Sequence, residues 1–72
     1  MYKMRVVVGT TYAGDPIIYE YKGIEQTDIG DFCEKSCEDA FEKYAALPDN
    51  ADVPAAELYA SISPIEIDVV HL

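Results

Sequence analysis

The sequence predicts an α+β domain, in which a three-stranded antiparallel sheet carries one long helix on one face and a short second helix. Two observations lead to this class. Three segments alternate apolar and polar residues with the period of a β-strand, and a long segment of helical periodicity lies between the second and the third. The 72 residues suffice for a single small domain, residues 1–72, which buries roughly 60% of the surface of the unfolded chain.

The first two predicted strands form a hairpin. Residues 2–8 (YKMRVVV) and 17–23 (IIYEYKG) alternate between two faces, as half-buried strands do. The intervening residues 10–16 (TTYAGDP) contain a glycine and an Asp-Pro pair, which favour a turn.

Two helices are predicted to follow the hairpin. The long helix covers residues 28–47, because Asp28 can accept a hydrogen bond from its first N–H groups and Pro48 ends it. The short helix covers residues 54–61, where Pro54 suits the first turn and alanine and glutamate favour helix.

The last predicted strand lies within residues 63–72 (SPIEIDVVHL), which completes the order β-β-α-(α)-β. The first strand has the densest β-branched run, so we place it in the centre and predict the strand order 2-1-3. In that order Arg5 lies between acidic residues of both neighbouring strands. Cross-strand pairs of opposite charge stabilise a sheet by roughly 0.2–1 kcal/mol each.

Composition limits the possible partners. The chain has 14 acidic and 5 basic residues and a net charge of −9. This charge argues against direct binding of nucleic acid or of an anionic membrane, and it permits a partner protein with a basic surface. No apolar run approaches the roughly 20 residues of a membrane-spanning helix, and no signal peptide is evident, so we predict a cytoplasmic protein.

Cys33 and Cys37 are the only cysteines, one helical turn apart and on the apolar side of the long helix. Their β-carbons are expected about 5–6 Å apart, whereas a disulfide requires roughly 3.5–4.5 Å. Zinc requires four ligands, and His71 lies at the far end of the last strand. We therefore predict that both thiols are buried, reduced packing residues. A thiol or metal protein built on them remains an alternative.

The sequence contains no pattern typical of an active site. His71 is the only histidine and lies near the end of the chain. There is no Ser–His–Asp or Cys–His spacing and no glycine-rich phosphate loop. We therefore predict no enzyme activity, no catalytic residue, no metal site and no cofactor.

The polar side of the long helix supplies the first candidate partner-binding residues. Glu34, Glu38 and Glu42 form a stripe with no basic residue four positions away. Two other acids of the helix do have a lysine at that spacing. These pairs are Asp31–Lys35 and Asp39–Lys43. Unneutralised acids at one-turn spacing repel one another weakly, so the stripe suggests contact with a positive partner. The alternative is an ordinary solvated helix face.

Tyr12 in the hairpin loop and Tyr59 on the short helix complete the candidate set. Tyrosine is enriched at interface hot spots, and both positions are expected to be exposed. A second patch is predicted on the open face of the sheet and would suit a homodimer. It consists of Val7, Ile18, Val70 and Leu72.

The leading hypothesis is a non-catalytic acidic module that inhibits a partner protein by occupying its basic, nucleic-acid-binding surface. Small acidic proteins of phages and mobile elements that block host defences, anti-CRISPR proteins among them, work in this way, and the analogy rests on size and charge alone. One alternative is a homo-oligomeric structural or adaptor protein joined through its sheet. The other is the thiol or metal protein.

Overall fold

A computed structural model describes all 72 residues and shows three strands and two α-helices. They are β1 (Tyr2–Gly9), β2 (Ile17–Ile24), α1 (Ile29–Ala45), α2 (Ala55–Ser61) and β3 (Ser63–His71). The sheet is antiparallel throughout, with the order β2-β1-β3. The predicted α+β class, strand order and helices are therefore confirmed.

β1 occupies the centre of the sheet because one of its faces is wholly apolar. Met4, Val6 and Val8 are fully buried on that face. On the opposite face Arg5 lies between Glu20 of β2 and Asp68 of β3 in the register of the sheet. The predicted placement of a basic residue between two acidic strands is therefore confirmed.

The core lies between β1 and the two helices. Ala40 and Tyr44 of α1 and Leu58 of α2 are its buried helical residues, and they pack with the buried face of β1 and with Ile24. Because Leu58 is 1% exposed, α2 belongs to the folded unit although it has only seven residues.

The start of α1 differs from the prediction. Residues Gln26–Asp28 form a 3-10 turn, and α1 begins at Ile29. The carboxylate of Asp28 does not cap α1; it accepts a hydrogen bond from the backbone N–H of Glu25 at 3.4 Å. Asp28 thus closes the turn that precedes the helix.

Helix α1 is fixed to the β2 side of the sheet by two hydrogen bonds. The Tyr19 hydroxyl donates to the Asp39 carboxylate at 2.6 Å, and the hydroxyls of Tyr21 and Ser36 lie 2.6 Å apart. No side-chain hydrogen bond joins α1 to β3. The helix packs across β1 and approaches both edge strands, but of these two only β2 is joined to it by side-chain hydrogen bonds and contributes side chains to the core.

All nine residues of β3 nevertheless remain exposed. Ile67 and Val69 lie beside Val6 and Met4, which are fully buried, yet 46% and 41% of their surface remain open to solvent. Alternation in the sequence correctly identifies Ile67 and Val69 as an apolar row. The rest of the chain covers this row only in part.

The hairpin loop is held from within by Tyr44 and Asn50. The Tyr44 hydroxyl contacts the carbonyl oxygens of Asp15 at 2.7 Å and Val8 at 3.2 Å. Gly14 has a φ of +124°, and a β-carbon there would lie 2.6 Å from the Tyr44 ring. Glycine is therefore required at this position for both backbone and space.

Candidate functional site

The three glutamates of the predicted stripe are all exposed. Glu34, Glu38 and Glu42 form no ion pair and no hydrogen bond with any other side chain. Of the two predicted pairs beside them, Asp39–Lys43 forms with an N–O distance of 3.0 Å, and Asp31–Lys35 does not form. Lys35 instead extends over the ring of Phe32, 6.0 Å from its centroid. The negative charge of the stripe is therefore left without an internal counter-charge.

The stripe lies on the side of α1 away from β2. Ser36 faces β2, because its hydroxyl meets that of Tyr21. Glu34 and Glu38 are each two residues from Ser36, which places them about 160° around the helix from it. Because Ser36 is fully buried, Glu34 and Glu38 therefore lie on the solvent side of α1, away from the sheet.

Tyr59 lies next to this stripe and Tyr12 does not. The ring of Tyr59 meets the ring of Phe41 edge-on, with centroids 5.4 Å apart, and Phe41 follows Glu38 by three residues. The Tyr12 hydroxyl lies 3.4 Å from the carboxylate of Glu57 on α2. Both rings are exposed, at 50% for Tyr59 and 39% for Tyr12. Tyr59 therefore lies beside the stripe, whereas Tyr12 contacts Glu57 and lies away from the stripe.

On the other flank of α1, the acidic side chain of Asp39 has both an ion-pair and a hydrogen-bond partner. The Asp39 carboxylate accepts hydrogen bonds from the Tyr19 hydroxyl and from the Lys43 ammonium group, and these two bonds lower the pKa of Asp39. Burial and the bond to Asp39 raise the pKa of the Tyr19 phenol. Sequence spacing identified the Lys43 partner. It could not identify Tyr19, because that contact depends on how α1 lies on the sheet.

On the open face of the sheet, charge divides the predicted apolar patch. Arg5 forms ion pairs with Glu66 at 3.1 Å and with Asp68 at 3.8 Å. Along β1, Arg5 separates two parts of the patch. Val7 pairs with Ile18 on one side of it, and Lys3 pairs with Val70 on the other. The patch is therefore not continuous.

Cys33 and Cys37 face the sheet as predicted, but they are half-buried and not buried. The sulfur of Cys33 lies 3.9 Å from that of Met4. Both thiols are free, and partial burial raises the pKa of each.

We expect both thiols to react slowly in the folded protein. A raised pKa lowers the fraction of thiolate, which is the reactive form, and packing restricts access. Alkylation by iodoacetamide at about pH 8 should be several-fold slower in the native protein than in the same chain unfolded by urea. The variants C33S and C37S report each remaining thiol separately. Equal rates in the native and unfolded states would contradict this prediction.

The remaining chemical features are few. The structure contains no cavity and no group of three histidine, cysteine, aspartate or glutamate residues placed to share a metal ion. Neither helix is long and apolar enough to cross a lipid bilayer. Comparisons with protein-family models, with curated proteins and with solved structures found no match to this chain. Functional interpretation therefore depends on the surface described above.

Proposed function

We propose that this protein is a non-catalytic binding module that inhibits a partner protein by occupying its basic, nucleic-acid-binding surface. The observation that carries the proposal is the unpaired stripe of Glu34, Glu38 and Glu42. Ion pairs partly neutralise the charge on the other flank of α1 and around Arg5. The three glutamates of the stripe have no such ion pair, and the exposed ring of Tyr59 lies next to them.

The stripe resembles a nucleic acid in charge only in part. The helix presents one carboxylate per turn, about every 5.4 Å, whereas duplex DNA carries one charge per ~1.7 Å of its axis. Further acids must therefore contribute if the partner's whole groove is occupied. Asp49, Asp52 and Glu57 are exposed in the segments that follow α1 and in α2, and they are candidates for this contribution.

Exposed carboxylates act mainly on the rate of encounter. Charges at the edge of an interface attract an oppositely charged partner over about one Debye length, and salt screens that attraction. An inhibitor that uses the stripe should associate quickly at low salt and more slowly as salt rises. Apolar contacts, Tyr59 first, would determine how slowly it dissociates.

We expect the triple variant E34Q/E38Q/E42Q to fold normally and to associate with its partner about tenfold more slowly at low salt. Stability should change little, because the three side chains are exposed and unpaired. The partner is first captured from a lysate of the source organism with the wild-type protein as bait. Association and dissociation rates are then measured at roughly 50 and 200 mM salt.

A matched control separates the position of the charge from its amount. The variant D15N/E20Q/E25Q also removes three exposed carboxylates, so both variants change the net charge from −9 to −6. The control should keep most of the wild-type association rate. If both variants slow association equally, net charge alone is responsible and the stripe is not the binding surface. The partner should also lose its nucleic acid when the wild-type protein binds.

The homo-oligomer alternative has one structural observation in its favour, the uncovered row of Ile67 and Val69 on β3. A dimer joined through β3 would have twice the monomer mass in sedimentation equilibrium. Its mass would respond little to salt. A monomer at all salt concentrations would exclude this alternative.

A further inference from the structure

The outer edge of β3 is the most open backbone in the fold. β3 pairs with β1 along one side and has no neighbour along the other. The second edge strand, β2, is partly covered, because Tyr19 and Tyr21 reach α1 from it. No residue of β3 is covered in this way, and all nine are exposed. An exposed strand edge of this length is a template for pairing with another chain.

The two faces of this edge differ in chemistry. On the face towards α1 the strand presents Ile67 and Val69, which lie beside buried residues of β1. On the opposite face it presents Glu66 and Asp68. One guanidinium, that of Arg5, serves both carboxylates, so these three side chains together keep a net charge of −1. A strand added here would meet apolar and acidic residues in alternation.

A second copy of this chain fits the edge poorly. In a two-fold antiparallel pairing centred on Ile67, Glu66 of each copy lies opposite Asp68 of the other. In a pairing centred on Asp68, two Asp68 side chains lie opposite each other. A shift by a further residue sets Ile67 opposite His71 and loses an apolar contact. Like charges directly opposite destabilise a strand pair, and each copy brings a net charge of −9.

We infer that β3 receives an extended segment of the partner protein that alternates apolar and basic residues. Backbone hydrogen bonds to the free edge would hold the segment. Its apolar side chains would pack on Ile67 and Val69, and its lysine or arginine side chains would meet Glu66 and Asp68. The inference rests on the proposed function, because it takes the partner to be basic, and it adds a second contact surface beyond the α1 stripe.

The test uses a capped peptide of nine residues, the length of β3, that alternates valine and lysine. We expect saturable binding to the wild-type protein by titration calorimetry, with slower amide hydrogen exchange in β3. A peptide with glutamate in place of lysine should not bind. A valine–lysine peptide N-methylated at alternate residues, which removes the backbone donors of one edge, should bind at least about tenfold more weakly.

Two variants of the protein, I67K and E66Q/D68N, and one matched control locate the binding site. I67K adds a positive charge to the apolar row and should weaken peptide binding about tenfold. The matched control is I18K, which makes the same change at an exposed isoleucine on the other edge strand, and it should leave binding unchanged. The variant E66Q/D68N should flatten the salt dependence of binding. This second variant removes no apolar contact, so it remains informative if I67K folds poorly.

Each outcome has one reading. Absence of saturable binding, or equal loss with I67K and I18K, would overturn the inference. A dimer of the free protein that I67K dissociates would assign the edge to a second copy and would also overturn it. If the captured partner depends on the α1 stripe and is indifferent to I67K, the proposed function stands and the β3 inference alone fails. If the partner is indifferent to the stripe variant and to I67K alike, both fail.

Discussion

The variant Y44A is expected to lose roughly 3–5 kcal/mol of unfolding free energy, the range for deleting a large buried aromatic side chain. Tyr44 is 2% exposed and lies among the buried residues of β1 and α1. A chain of 72 residues has a total stability of about 4–11 kcal/mol. The variant should therefore be marginally folded at room temperature. Urea unfolding followed by circular dichroism measures the change.

The variant Y44F separates the ring from its hydroxyl. It keeps the packing of the ring and leaves the carbonyl oxygens of Val8 and Asp15 without their donor. We expect a loss of roughly 1–2 kcal/mol. The control Y12F removes an exposed hydroxyl with one long contact and should change stability by less than about 0.5 kcal/mol. A loss in Y44F as large as that in Y44A would show that the hydroxyl, and not the ring, dominates.

The second large effect is expected in N50A, at roughly 2–4 kcal/mol. The Asn50 side chain is 3% exposed and forms three hydrogen bonds. Its oxygen accepts from the N–H of Ala13 at 3.1 Å, and its nitrogen donates to the carbonyl oxygens of Ala13 and Tyr44, each at 2.9 Å. The variant removes this partner from both backbone groups of Ala13, whereas the Tyr44 carbonyl still accepts from the N–H of Leu47.

The neighbouring variant D49A is the matched control for N50A. Asp49 belongs to the same 3-10 turn, is exposed and makes no side-chain hydrogen bond or ion pair. The urea unfolding midpoint of D49A should stay close to that of the wild type. Hydrogen exchange should show faster exchange at Ala13 in N50A and not in D49A. Equal losses in the two variants would indicate that the turn itself, and not the buried amide, is the sensitive feature.

Local patterns in the sequence were sufficient for the architecture. The alternation around Met4, Val6 and Val8 identified both the central strand and its buried face, and Pro48 correctly placed the end of the long helix close to Ala45. These features depend on residues that are near one another in the chain. The buried role of Asn50 was missed for the opposite reason, because its partner Ala13 is 37 residues away.

The position of α1 across the sheet could not be read from the sequence either. Periodicity shows which side of a helix is apolar, and it does not show which strands the helix covers. In the structure α1 lies over β1 and is joined to β2 by the hydroxyls of Tyr19 and Tyr21. The stripe at Glu34, Glu38 and Glu42 could be identified beforehand, whereas the contact of Tyr59 with Phe41 beside it could not.

The central position of β1 has a consequence for how the fold arises during synthesis. β1 is made first, and one of its two neighbours, β3, contacts it across a sequence separation as large as 69 residues, as in the Tyr2–His71 pair. Contacts of such long separation form late and slow the folding of small domains. While the nascent chain emerges from the ribosome, β1 can pair with β2 and meet α1, but its other edge stays vacant until β3 has left the exit tunnel. During that interval the vacant edge belongs to a Val-rich strand with one buried face, so a chaperone would have most to protect at this stage of synthesis.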